Sequence, residues 1–169
     1  EDREGELVIP IEKNRYGDAL YSFVQAILRV SDVSYLSRER IRTTFLEDVK
    51  AFIAENIPAG KVHMNWSDSV HDPDGKYPVD FMIDGESGPV FVYAMTTDDR
   101  VRDAMINLLI FEKWGLKFKS IGIFENQEGV NRKILARFSD VCEKQFSSLP
   151  GNRDRILKYV QEAAGLATA

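Results

Sequence analysis

Apolar residues recur at Leu20, Phe23, Val24, Ile27 and Leu28, with spacings of three, one, three and one. That stripe predicts a helix over Asp18–Val30, and Ser31-Asp32 is expected to break it. A second stripe, Ile41, Phe45, Val49, Phe52 and Ile53, predicts a helix from Ser37 to Asn56. Ser37 supplies a cap and Pro58-Ala59-Gly60 a stop. The alternation in Lys61–Trp66 predicts a strand, and His71–Gly75 has the composition of a turn. Two apolar runs, 77–83 and 89–95, joined by a Gly-rich segment, read as a hairpin.

Further on, Thr97 or Asp98 caps a helix over Asp99–Trp114, with Gly115 as its stop. Its apolar residues cover more than one face, which predicts a buried helix. Phe118–Glu125 reads as a strand and Gly129–Phe138 as a helix with Ile134, Leu135 and Phe138 inward. Val141–Phe146 reads as a short strand, and Asn152–Ala164 as a last helix capped by Asn152. Near the start, Leu7-Val8-Ile9 is an edge strand ended by Pro10, or an ordered arm. A helix between two strands demands a crossover. The expected fold is therefore α/β (α+β), a central mixed sheet of four to five strands flanked by helices. Residues 1–36 form an arm and helix, and 37–169 the core, as one compact domain.

The chain has 169 residues, 44% hydrophobic and 29% charged, which suffices for a sizeable core. Its net charge of −5 disfavours general nucleic-acid binding, which relies on Lys and Arg at phosphates. The single cysteine, Cys142, allows no intrachain disulfide and fits a reducing, cytoplasmic setting. A Cys-His nucleophile or zinc site is disfavoured, since only His63 and His71 accompany it. No apolar run is long enough for a membrane span, and no membrane partner is expected. The start, Glu1-Asp2-Arg3, suggests a fragment of a longer protein.

One position breaks the apolar pattern. Asp80 lies inside Val79-Asp80-Phe81-Met82-Ile83, where a carboxylate needs a partner (a backbone N–H, an arginine or solvent) or a task. In the following strand, Val90-Phe91-Val92 leads into Tyr93-Ala94-Met95. The stretch from 37 to 125 resembles the PD-(D/E)xK phosphodiesterase superfamily, whose core is a helix, a three-stranded meander, a helix and a further strand. The resemblance implies a restriction-endonuclease-like core with Asp80 in the aspartate position. It implies Tyr93-Ala94-Met95 in the slot of Glu-x-Lys, and Glu47 as the acid of the preceding helix. In active members two carboxylates hold a divalent metal and the lysine positions water. Tyrosine does not replace that ligand, nor methionine that charge. More loosely, the chain resembles uncharacterised bacterial and phage domains, which implies a prokaryotic or phage setting, in defence or counter-defence.

The expected function is a non-catalytic binding or regulatory module with no cofactor, whose partner is a protein rather than nucleic acid. One rival is an active Mg²⁺-dependent nuclease using Asp80, Glu47 and Lys76, with Asp84, Glu86 or Lys119 as substitutes. A second rival is a homodimer through the first two helices. Arg132, Lys133 and Arg137 are the candidate binding patch, with Lys144, Arg153, Arg155 and Lys158 beyond them. Asp72-Pro73-Asp74-Gly75 lacks calcium-loop spacing and reads as a plain turn. His63 and His71 read as structural and solvated histidines, and Tyr93 as a hydrogen-bond partner for Asp80.

Overall fold

The structure is a computed structural model that describes residues 2–3, 6–11 and 15–166, with the backbone alone at 2–3, 6–7, 34, 37–39 and 41–42. The chain divides into two compact units, 1–44 and 45–169. The first contains β1 (Asp2–Arg3), antiparallel to β2 (Glu6–Leu7), and the start of helix α1 (Tyr16–Asn56). The helix runs through Ser31-Asp32, so the expected break is not made. Ser and Asp cost a helix only a few tenths of a kcal/mol each, roughly, and the interior holds no proline. The expected cap Ser37 and face residue Ile41 lie outside the described side chains. At the far end, the Asn56 amide donates to the Phe52 carbonyl (2.7 Å), and Pro58 follows.

In the second unit the sheet order is β3 (Val62–Trp66), β4 (Val79–Ile83), β5 (Val90–Met95), β6 (Lys119–Phe124) and β7 (Lys144–Phe146). The first three form an antiparallel meander, with Val62 opposite Ile83 and Phe81 opposite Val92. β6 is parallel to β5 and β7 is parallel to β6. Helix α2 (Asp98–Lys113) makes the first crossover and α3 (Arg132–Ser139) the second. Helix α4 (Arg153–Ala164) closes the unit. The fold is thus α/β, a five-stranded mixed sheet flanked by helices.

The side-chain alternation of the strands divides the core in two. Phe81, Ile83, Val90 and Val92 pack with Phe52 of α1 and Ile156 of α4 on one face. Met82, Phe91, Tyr93 and Met95 pack with Leu108 of α2 and Phe138 of α3 on the other. The buried helix expected after Thr97 is buried on one side only, since Ile106 and Leu109 remain exposed.

Local chemistry sets several boundaries. β4 starts at Val79, two residues later than its apolar run, because Pro78 has no N–H and the Tyr77 N–H is given to the buried Asp72 carboxylate (2.8 Å). Asp72 also accepts from the Lys76 N–H (2.8 Å), so its segment is a turn closed by its own side chain. The Thr97 hydroxyl caps α2 by accepting from the Arg100 N–H (3.2 Å). α3 starts at Arg132, later than expected, because Gln127–Gly129 form a separate short turn and Asn131 caps the helix. Asn152 precedes α4 but donates its amide to the Ser148 carbonyl (2.9 Å), so it is no side-chain cap.

Gly122 on β6 faces the buried Phe138 ring, and a Cβ there would stand 2.8 Å from it. Gly122→Ala is therefore expected to lower stability by about 1–3 kcal/mol, read from urea unfolding midpoints.

Candidate functional site

Asp80 sits where the β4–β5 ladder ends. The last backbone pair is Phe81 with Val92. Beyond it, the Asp80 carboxylate takes over as acceptor: Oδ2 receives the Ala94 N–H at 2.8 Å. Oδ1 receives Nη2 of Arg100 at 2.5 Å. The two side chains are 14% and 32% exposed, so the pair is largely withdrawn from water. Arg100 reaches Asp80 because α2 begins right after β5, and the Thr97 cap places Arg100 in its first turn. A half-buried carboxylate with a guanidinium on one oxygen and an amide on the other has its charge met.

Tyr93 lies on the same sheet face, within the α2 cluster, and Met95 follows two residues on. The phenol does not bond Asp80, contrary to the sequence expectation. Its hydroxyl is buried without a hydrogen bond. Asn107 of α2 lies close by but donates its amide to the Pro78 carbonyl (2.8 Å). Burial, with the Asp80 charge adding to it, pushes the phenol far above its ordinary range. The Thr96 hydroxyl is a second buried group without a partner.

The other acids and cations do not converge on Asp80. Glu47 is exposed on α1, ion-paired with Lys50 (3.6 Å), and α1 packs on the opposite face of the sheet. Lys76 pairs with Asp74 (2.9 Å) in an exposed turn, and Asp84 with His63 (2.9 Å). Glu86 is exposed beside Gly165. Among the described residues, no group of three or more His, Cys, Asp or Glu side chains could hold a metal ion. A hard divalent cation needs several oxygen ligands, and both Asp80 oxygens already serve donors of the protein. The set of residues does not fit a Mg²⁺ centre.

No family model, curated protein or solved structure matches this chain.

Arg132, Lys133 and Arg137 are exposed on α3, and none has an ion-pair partner among the described residues. The cations beyond them are dispersed. Arg153 is paired with Glu55 (3.1 Å) and lies over the Phe52 ring, while Lys144 lies over Phe146 and Tyr159. Lys158 faces Glu162 (3.9 Å). His71 stacks on Trp114 and meets Asp68 (3.2 Å), and its side chain stays 39% exposed, a solvated residue as expected. Burial alone would raise the Asp68 carboxyl, but the backbone N–H groups of His71 and Val70 and the His71 ring outweigh it and hold it low.

A cleft of about 600 Å³ opens at the other end of the sheet, where β6 starts. Lys117, Lys119, Glu112, Asp140 and Glu143 line it, together with the buried Ser120 and Cys142. The Ser120 hydroxyl accepts the Glu143 N–H (3.0 Å). Burial pushes the Cys142 thiol up to about 11, so at neutral pH it is a neutral, poor nucleophile. No sequence signal marked this cleft, because its walls come from segments far apart in the chain.

Two measurements test the Asp80 arrangement. A double-mutant cycle between Asp80→Asn and Arg100→Gln should give a coupling of about 1–2 kcal/mol, with Asp80→Ala costing more than Asp80→Asn because it also strands the Ala94 N–H. Tyr93→Phe removes an unpaired buried hydroxyl and should leave the protein at least as stable as wild type, measured by thermal unfolding.

Proposed function

We propose that this chain is a non-catalytic binding or regulatory module built on a degenerate PD-(D/E)xK-like core. The observation that carries the reading is the saturation of Asp80 by Arg100 and the Ala94 N–H. The order of α1, meander, α2 and β6 supports the likeness to that superfamily. So does the placement of Asp80, Tyr93 and Met95 on one sheet face. A binding role on a worn catalytic core needs the fold but not the metal, and here the charge of Asp80 is met by the protein itself.

A protein partner is favoured over nucleic acid. The chain is acidic, and the cations of α3 without an ion-pair partner among the described residues number three on one short helix. No helix among the described residues is long and apolar enough to cross a membrane. The setting that fits this reading is a cytoplasmic one, prokaryotic or phage, in defence or counter-defence.

The deciding experiment is a cleavage assay on DNA and RNA with Mg²⁺ and Mn²⁺. No cleavage above background is expected. Metal-dependent cleavage abolished by Asp80→Ala would overturn the proposal. In a parallel titration, nucleic-acid binding that weakens steeply with salt and with Arg132→Ala/Lys133→Ala would point to phosphate contacts instead.

A further inference from the structure

The first 21 residues of α1 carry an apolar surface that the protein leaves uncovered. Ten apolar side chains between Tyr16 and Leu36 are each 41 to 68% exposed. The seam residues Tyr16, Leu20, Phe23, Ile27 and Val30 recur at spacings of four, three, four and three. That is the spacing by which one helix packs along another. Asp18, Ser22, Gln25, Arg29 and Asp32 recur at the same spacings two residues on, and so form a polar stripe on the opposite side. The helix is therefore amphipathic, with its apolar side turned to solvent.

The chemistry of the two sides narrows what covers it. The charged residues of this stretch, Asp18, Arg29 and Asp32, all lie on the polar stripe. An apolar face without charge offers nothing to a nucleic acid or an acidic peptide. A helix lying on a lipid surface carries Lys and Arg on its polar side, whereas this polar side sums to one negative charge. A second copy of the same face meets none of these objections, because an uncharged seam is self-complementary about a twofold axis.

Area agrees. Eight of the ten exposed side chains fall within an arc of about 180° at 100° per residue. Side chains of this size, roughly half exposed, present on the order of 800–1,000 Å² of apolar surface, and a stable dimer buries about 800 Å² per partner. Beside the seam, Ile9 and Ile11 of the preceding segment form a groove with Tyr16, Ala19, Leu20 and Phe23, of about 400 Å³. It is wholly lined by apolar or aromatic residues and offers a socket for side chains of a facing helix.

We infer that this face of α1 is a homodimer interface, in which residues 16–30 of two copies pack helix against helix. The inference does not rest on the nuclease-like reading of the core. The test is the mass of the whole chain by light scattering and sedimentation over a wide concentration range. Twice the 19.2 kDa of one chain is expected. Leu20→Glu/Ile27→Glu should give the single-chain mass, an affinity loss of at least about a hundredfold, since it places two charges in a dry seam. Gln25→Glu, on the polar stripe, should leave the dimer intact. A single-chain mass for wild type at every concentration overturns the inference, whether or not the face then captures another domain, protein or vesicle. So does a dimer that survives Leu20→Glu/Ile27→Glu.

Discussion

Strand β5 has no solvent side, for all six residues from Val90 to Met95 are buried. That constraint shapes the second unit. A strand buried on both faces must be covered by helices above and below, and it must be paired along both edges. β4 and β6 supply the edges, α1 and α4 one face, and α2 and α3 the other. Parallel pairing of β5 with β6 then forces a crossover, and α2 is that crossover. The same geometry fixes the start of α2 just after the end of β5. Arg100 is brought to Asp80 by the requirement that Val90–Met95 stay dry.

The Asp80–Arg100 pair is thus a consequence of topology as much as of residue choice. A carboxylate on the α2 face of β4 faces whatever the first turn of α2 carries. Alanine there would leave a charge with one amide for company, at a cost of about 1–2 kcal/mol in a site only partly open to water. Arginine suits the position better than lysine would. Its guanidinium remains charged at any working pH, and it is less strongly hydrated than an ammonium, so less is lost when it is partly withdrawn from water. Ladder hydrogen bonding is not lost either, since the Asp80 carboxylate substitutes for the carbonyl that the Ala94 N–H would meet in a continued ladder.

What the sequence made legible follows the range of the forces involved. The strands at Val90–Met95 and Lys119–Phe124 and the helix from Thr97 were readable because apolar period, cap and Gly stop act within a few residues. The break at Ser31-Asp32 was misread because the cost of two weak helix formers is small against the continuity of a long helix. The kind of partner Asp80 takes, a backbone N–H and an arginine, is legible, but which arginine is not, since Arg100 lies twenty residues away. A signal did exist, since the Thr97 cap and the crossover together point Arg100 toward the end of β5. Asp72 gave even less away, for its burial depends on two backbone N–H groups that turn inward only once the loop has closed. The cleft beside Ser120 left no local trace at all.

Two polar demands and one apolar demand separate the units. In the second unit the Asp80 charge is answered from within, while the buried hydroxyls of Tyr93 and Thr96 stay unanswered at a cost of about 1–3 kcal/mol each. Such a core tolerates those losses because its apolar layers are complete on both faces of the sheet. In the first unit the reverse holds. Its polar stripe is at ease in water, and most of its apolar stripe stays exposed. Folded domains seldom keep so large an apolar surface exposed. The sheet thus meets the Asp80 charge from within, whereas the first turns of α1 leave their apolar side to solvent.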